Sequence, residues 1–123
     1  MNTFQSLKER YLVCDAGCPI LSSGSLADEM LLYNLNEEKM LLLTQQFLLL
    51  TGKELSPSSK TEELSGGQKV ILMCLLALYS PARAIALINL ERSLDAHRRN
   101  ALQAVIQNLA AGREIILRET DET

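Results

Sequence analysis

The longest hydrophobic segments of the chain predict a buried helix followed by a buried strand. Residues 70–79, VILMCLLALY, are apolar on every side of a helix, and such a helix must be surrounded by other elements. Pro81 ends this helix. Residues 84–90, AIALINL, form a short apolar run with isoleucines, which is typical of a strand covered on both faces.

Amphipathic patterns on either side of these segments predict two further helices. The first has four apolar residues at helical spacing: Met40, Leu43, Phe47 and Leu50. Asn36 caps this helix and Gly52 ends it. The second helix, residues 96–111, follows Asp95 and closes at Gly112. Its apolar stripe consists of Leu102, Val105, Ile106 and Leu109.

Short apolar segments near both ends of the chain predict two more strands. Residues 10–14, RYLVC, and residues 114–117, EIIL, have the apolar and aromatic content of strands. A short helix is expected after Ser25, which can act as its N-cap with Asp28 in the first turn. The strands at 84–90 and 114–117 flank the helix at 96–111 in a βαβ unit, so we expect these two strands to pair in parallel.

Composition restricts the classes of protein that are compatible with this pattern. The 123 residues are 47% hydrophobic and 22% charged, which suits one folded domain. A net charge of -3 does not favour nucleic-acid binding. Three cysteines and one histidine make neither a disulfide framework nor a zinc site, and no metal site is expected. With no signal peptide and no apolar run of membrane-spanning length, the sequence predicts a cytoplasmic protein.

The segment EELSGGQKV, residues 62–70, lies directly ahead of the buried helix and allows two interpretations. Ser65 and Gln68 have the spacing of a capping box, in which each side chain bonds the other residue's backbone amide. That role does not explain Gly66 and Gly67, because glycine in a helical turn costs up to about 1 kcal/mol relative to alanine. Bare amides beside a serine hydroxyl form a natural anion site, with phosphate as the favoured ligand. The local residues leave both interpretations open.

Several motifs in order along the chain resemble the ATP-binding cassette (ABC) family of ATPases. LSGGQ at 64–68 is identical to that family's signature motif. SLDAHRR at 93–99 looks like the D-loop and its helix, and GREIILRETD at 112–121 is similar to the strand and switch loop. Upstream, residues 11–33 resemble the segment that leads from the Q-loop strand into the helical subdomain. The resemblance covers about residues 10–121.

The sequence departs from this family at the residues used for hydrolysis. No G-x-x-x-x-G-K-[ST] motif, the P-loop, occurs, and TGKEL at 51–55 lacks the first glycine and the hydroxyl residue. The family's magnesium-binding aspartate and catalytic glutamate have no counterpart around Asn89. The switch histidine aligns with Thr120, and the Q-loop glutamine aligns with Cys14 or Asp15. Phosphoryl transfer needs Mg²⁺ and a lysine for charge neutralisation, so we expect no hydrolysis by this chain alone.

What remains resembles the part of an ABC ATPase that acts on a second subunit. In that family the signature loop of one subunit closes on ATP held by the P-loop of another. The residues that the resemblance assigns to this role are Ser65, Gly66, Gly67, Gln68 and, in the D-loop-like segment, Asp95. ATP and Mg²⁺ would be reached only through a partner, and the chain itself would contribute no catalytic residue.

The resemblance implies an α/β fold that corresponds to the C-terminal part of an ABC ATPase domain. A single domain over residues 1–123 would contain a helical subdomain, 27–80, and an α/β part, 10–14 and 81–121, whose small, mainly parallel sheet consists of 10–14, 84–90 and 114–117. The expected partner is a complete ABC subunit or a second copy, because so small a sheet has unprotected edges. A membrane would be contacted only indirectly, through a transporter complex. The alternatives are an ATP-independent interaction module and a fragment related to chromosome-maintenance ABC ATPases.

Overall fold

The computed structural model describes residues 10–19 and 24–120, which form a parallel sheet and five helices. The strands are β1 (Leu12–Asp15), β2 (Ala84–Ile88) and β3 (Glu114–Arg118). The helices are α1 (Leu26–Leu32), α2 (Glu37–Thr51), α3 (Gly66–Tyr79), α4 (Leu90–Ser93) and α5 (Ala96–Leu109). A 3₁₀ turn, Thr61–Glu63, precedes α3. The α/β fold predicted from the sequence is confirmed.

The three strands form one sheet in the order β1, β2, β3. Both pairs are parallel, with Leu12 opposite Ile85 and Ala84 opposite Glu114. The central strand β2 is buried over residues 85–88, as expected for a strand covered on both faces. The parallel pairing predicted for the βαβ unit is therefore confirmed.

The boundaries of several elements differ from those predicted, and β3, for example, extends one residue further, to Arg118. The strand predicted over residues 84–90 ends before Asn89, because that residue adopts left-handed backbone angles of φ 64° and ψ 30° and α4 begins at the next position. Strand β1 starts two residues later than expected and includes Asp15. Helix α5 ends at Leu109, and Gly112 lies beyond it with φ 73° in the turn that leads to β3.

Helix α3 lies at the centre of the core. It contacts α2, α5, β1 and β2, and residues 70–78 are all buried. Helix α2 packs against it with Leu43 and Phe47, which are fully buried, while Met40 and Leu50 are half-buried against the same cluster. Burial of α3 on all sides, and the core role of the predicted stripe on α2, are thus confirmed.

The predicted caps of α1 and α2 are present. Ser25 and Asp28 form a capping box, in which each side chain accepts a hydrogen bond from the other residue's backbone amide. The Asn36 side chain accepts from the Lys39 amide at 2.8 Å. Helix α2 ends at Gly52, whose φ of 77° suits a residue without Cβ. Local sequence therefore defines both ends of α2.

The loop that leads to α3 is held by the first turn of α1. The amide of Leu26 donates to the carbonyl of Ser59 at 2.8 Å, and that of Ala27 donates to the carbonyl of Pro57 at 2.9 Å. The free amides of a helix N-terminus thus bind loop carbonyls instead of water. The assignment of residues 27–80 to a separate helical subdomain stays a prediction.

Candidate functional site: the signature turn

The turn at residues 65–68 has the capping geometry that the sequence predicts. Ser65 has extended backbone angles, φ -68° and ψ 167°, and precedes the first helical residue of α3. Its hydroxyl accepts a hydrogen bond from the amide of Gln68 at 3.2 Å, and the Gln68 side chain accepts from the amide of Ser65 at 3.0 Å. The structural role of these two residues is therefore confirmed, and their assignment to ATP stays a prediction.

The two glycines between them have different surroundings. A Cβ atom on Gly66 would have no neighbour within 4 Å, so the fold does not require glycine there. A Cβ atom on Gly67 would lie 2.8 Å from a terminal nitrogen of Arg98. Glycine at position 67 therefore permits the guanidinium to approach the backbone closely. The Arg98 side chain could move away from a Cβ at position 67, so packing requires glycine at neither position.

Asp95 holds the turn from which Arg98 projects. As the N-cap of α5, its side chain accepts a hydrogen bond from the backbone amide of Arg98 at 2.8 Å. Arg98 in turn lies against Gly67 at the start of α3. The structure thus brings the signature turn and the D-loop-like segment side by side. Sequence reasoning did not select Arg98, which resembles any other first-turn cation.

This junction combines the first amides of α3 with a guanidinium and is open to solvent. The first amides of α3, at Gly66 and Gly67, have no carbonyl partner within the helix and carry the positive end of its dipole. The guanidinium of Arg98 adds a full positive charge beside them. Ser65 and Gly66 are exposed, so that an anion can reach the amides. These groups are of the kind that binds phosphate.

At the carboxyl edge of the sheet, residues from the ends of the three strands form hydrogen bonds with one another. The Asn89 amide donates to a carboxylate oxygen of Asp15 at 3.0 Å, and the Gly17 backbone amide donates to the same oxygen at 2.9 Å. The side-chain oxygen Oδ1 of Asn89 accepts from the backbone amide and the hydroxyl of Thr120 at 2.8 and 3.1 Å. Asn89 is 4% exposed. A buried asparagine thus connects the ends of all three strands.

In open parallel sheets, ligands bind outside the carboxyl ends of the strands, so the side chains at this edge are candidates for binding a ligand. Asp15, Asn89 and Thr120 occupy positions that the resemblance aligned with the Q-loop, the acidic pair and the switch histidine. Their polar groups bind one another, and Asp15 is the one carboxylate in the network. Over residues 10–19 and 24–120, no group of three or more His, Cys, Asp or Glu side chains is placed to hold a metal ion.

Two surface cavities lie apart from the signature turn. One, of about 400 Å³, lies between α4, α5 and β3 and is lined in part by Arg99 and Arg118. The other, of about 420 Å³, lies near the C-terminal end of α3 and is lined in part by Lys39 and Tyr79. Arg99 already donates to two backbone carbonyls of its own segment. Neither cavity includes a residue of the signature turn.

Two of the three thiols lie in the core. Burial raises the pKa of Cys14 to about 12, and it raises the pKa of Cys74 further. Both thiols are therefore protonated and unreactive near neutral pH. Cys18 and His97 are exposed.

No protein-family model matches the chain, and no curated protein matches it in sequence. Solved structures match it in fold. An ATP-binding subunit of an ABC transporter superposes with a TM-score of 0.66 at 18% identity, over 96% of this chain and 51% of that chain. For cbiO1 from Clostridium perfringens, part of the ABC transporter complex cbiONQ, the TM-score is 0.62 at 22% identity, over 95% and 49%.

A third structure, a metal-chelate-type ABC transporter in an inward-facing conformation, gives a TM-score of 0.61 at 17% identity, over 89% of this chain and 47% of that chain. This chain therefore has the fold of part of an ABC transporter ATP-binding subunit, and it spans about half the length of the structures that it matches. Within the described residues, every helix is too short or too polar to cross a membrane.

Proposed function

We propose that this chain is an ABC ATPase-like protein that does not hydrolyse ATP and presents its signature turn to ATP bound on another ABC subunit. The observation that supports this proposal is the exposed turn at Ser65 and Gly66 with the Arg98 guanidinium beside it. The network around Asn89 at the carboxyl edge of the sheet supports the absence of hydrolysis, because its polar groups are already paired.

Each residue of the junction has a distinct task in this proposal. The amides of Gly66 and Gly67 and the Ser65 hydroxyl donate hydrogen bonds to phosphate oxygens of the partner's ATP. Arg98 neutralises part of the phosphate charge. Gln68 and Asp95 act indirectly, since their hydrogen bonds keep the two turns in place. ATP and Mg²⁺ are held by the P-loop of the partner.

The partner in this proposal is a complete ATP-binding subunit of an ABC complex. The neighbours in fold are described as ABC transporter proteins, which supports a transport-related complex in the cytoplasm. Any contact with a membrane would then pass through the transporter. The net charge of -3 makes direct binding to nucleic acid unfavourable.

The proposal is tested by calorimetric titration of ATP with Mg²⁺, first with the isolated chain and then with a complete ABC subunit present. We expect no ATP binding by the isolated chain and an ATP affinity in the mixture that is at least about tenfold higher than for the partner alone, a gain of about 1.4 kcal/mol. Tight ATP binding by the isolated chain, or an unchanged affinity with every ABC partner tried, would contradict it.

A pair of variants at Gly66 separates contact with ATP from folding. Gly66→Ala places a Cβ in open space and improves helix propensity, so stability is expected to stay the same or rise by up to about 1 kcal/mol. Gly66→Leu keeps the cap but places a bulky side chain over the exposed amides. We therefore expect the leucine variant to fold and to lose the effect on the ATP affinity of the partner, while the alanine variant keeps most of it.

A second candidate function is an ATP-independent interaction module. The observation that favours it is the set of leucines that α1 and α2 expose, among them Leu31 at 75% and Leu49 at 80%. In that case Gly66→Leu would leave the biological role intact. A fragment related to chromosome-maintenance ABC ATPases has no comparable support from the described residues.

A further inference from the structure

Helix α2 has a second apolar face on the outside of the protein. Four of its leucines have exposed fractions between 39% and 80%: Leu41, Leu42, Leu48 and Leu49. On the opposite side, Leu43 and Phe47 are fully buried. A patch of exposed apolar side chains of this kind commonly marks an interaction surface. In the part of the chain that the structure describes, this outer face stays exposed.

The outer face is symmetric about Gln45, which is also exposed. Leu42 and Leu48 lie three residues to either side of Gln45, and Leu41 and Leu49 lie four residues to either side. With about 100° of rotation per residue, all four leucines project within about 60° of the Gln45 direction. The positions of the leucines relative to Gln45 are therefore the same in either direction along the helix. A surface of this kind is complementary to a copy of itself that runs antiparallel.

Charges at the two ends of α2 follow the same symmetry. Glu37 lies eight residues before Gln45, Lys53 lies eight residues after it, and both are exposed. Lys53 lies two residues past the end of α2 at Thr51, beyond the left-handed Gly52, so in an antiparallel pair each Glu37 would lie near Lys53 of the second copy. The Gln45 side chain has both a donor and an acceptor, so it can pair with its own symmetry mate. Charge and polarity thus favour a second copy over an unrelated apolar partner.

We propose that the outer face of α2 forms a homodimer, in which two α2 helices pack antiparallel about a two-fold axis at Gln45. The four leucines of one copy cover those of the other. Their exposed surface is on the order of 400 Å² per copy, about half of a standard interface, so the dimer is weak and depends on concentration. The signature turn takes no part in this contact, and the proposal does not depend on the proposed function.

Sedimentation equilibrium of the full chain between about 1 and 100 μM tests the dimer, and a monomer–dimer equilibrium within this range is expected. Leu49→Glu is expected to raise the dissociation constant at least about tenfold, because each copy would bury a carboxylate against leucine. The matched control is Leu31→Glu on α1, since Leu31 is 75% exposed and Leu49 is 80% exposed. The control variant should dimerise normally, and circular dichroism should show both variants folded.

A charge exchange tests the antiparallel arrangement. Glu37→Lys and Lys53→Glu should each weaken the dimer by roughly twofold to fivefold at low salt, as expected for exposed ion pairs. The double variant should restore the original dissociation constant, because the same pairs re-form with their signs exchanged. A double variant that is weaker than both single variants would overturn the arrangement.

Oxidative cross-linking tests the position of the axis. In a Cys18→Ser background, which leaves only buried thiols among the described residues, Gln45→Cys should give a disulfide-linked dimer under mild oxidation. Gln103→Cys, at an exposed position on α5, should give none. A chain that is monomeric at all concentrations, or a dimer that Leu49→Glu leaves intact, would overturn the proposal. Sedimentation of the monomer with phospholipid vesicles through this face would assign the face to a membrane and would also overturn it.

Discussion

Arg113 connects the end of α3 to the turn that precedes β3. Its guanidinium donates to four carbonyl oxygens around the C-terminal end of that helix: those of Ala77, Leu78, Ser80 and Ala82. The last carbonyls of a helix have no amide partner within it and carry the negative end of its dipole. Burial lowers the pKa of Arg113 from its usual value, because the charged guanidinium is partly removed from water there.

Replacing Arg113 is expected to destabilise the protein strongly. Arg113→Met keeps much of the aliphatic volume but leaves several carbonyls without a donor, and we expect a loss of about 2–4 kcal/mol in the free energy of unfolding. Urea denaturation gives this quantity. The control is Arg83→Met, because Arg83 is exposed in the loop before β2. Equal losses for the two variants would show that the hydrogen bonds of Arg113 contribute little.

At the scale of elements, Asn89 separates β2 from α4. Its left-handed backbone, with φ of 64°, turns the chain so that α4 can start at Leu90. Its side chain then connects Asp15 of β1 to Thr120 after β3. One residue therefore ends a strand and fixes the carboxyl edge of the sheet.

The two contributions of Asn89 can be separated by substitution. Asn89→Gly removes the side-chain hydrogen bonds but accepts a positive φ freely. Asn89→Ala also forces a Cβ into the left-handed region, so it should be less stable than Asn89→Gly by about 1–2 kcal/mol. Thermal unfolding compares the two variants. The control is Asn34, an exposed residue with φ 59°, where the same alanine–glycine difference is expected without the loss of a network. Equal stability of the two Asn89 variants would contradict a cost of the left-handed backbone.

Local and long-range interactions differ in how far the sequence reveals them. The ends of α2 were predictable because Asn36 and Gly52 act on neighbouring backbone groups. The early end of β2 was not, because an apolar residue follows Asn89 and the hydrophobic run continues through it. The approach of Arg98 to Gly67 joins residues 31 positions apart and has no signal in the local pattern. The capping half of the candidate site was therefore predictable, whereas its cation was not.

At the scale of the molecule, the two surfaces available for association differ in kind. Self-association through sheet edges stays a prediction from the sequence, and the edge strands β1 and β3 are short and carry charge. Glu114 and Arg118 lie on β3, and Asp15 ends β1; just ahead of β1, Arg10 and the Tyr11 hydroxyl both donate to the Glu114 carboxylate. Charged side chains on edge strands oppose strand pairing between molecules. The uncharged outer face of α2 has no such protection, which makes it the more favourable contact.

Two thiols that are buried in the core of the molecule make its stability depend on pH. Burial raises the pKa of Cys14 to about 12 from an ordinary value of 9.0, and burial also raises the pKa of Cys74. These thiols are neutral in the folded protein and ionise more readily in the unfolded chain. Their contribution to stability is therefore fully present below pH 9 and is lost as the pH rises from about 9 to about 12.

We expect the free energy of unfolding to fall above pH 9 by up to about 1.4 kcal/mol per pH unit for each buried thiol. Chemical denaturation between pH 7 and about pH 11 measures this slope under reducing conditions. Because alanine cannot ionise, Cys74→Ala should make the slope shallower by the contribution of one thiol, up to about 1.4 kcal/mol per pH unit. This holds even if the variant is less stable than the original protein at pH 7. Cys18→Ser, at an exposed position, should leave the slope unchanged. A slope that Cys74→Ala does not alter would show that ionisation of the buried thiols does not control unfolding at alkaline pH.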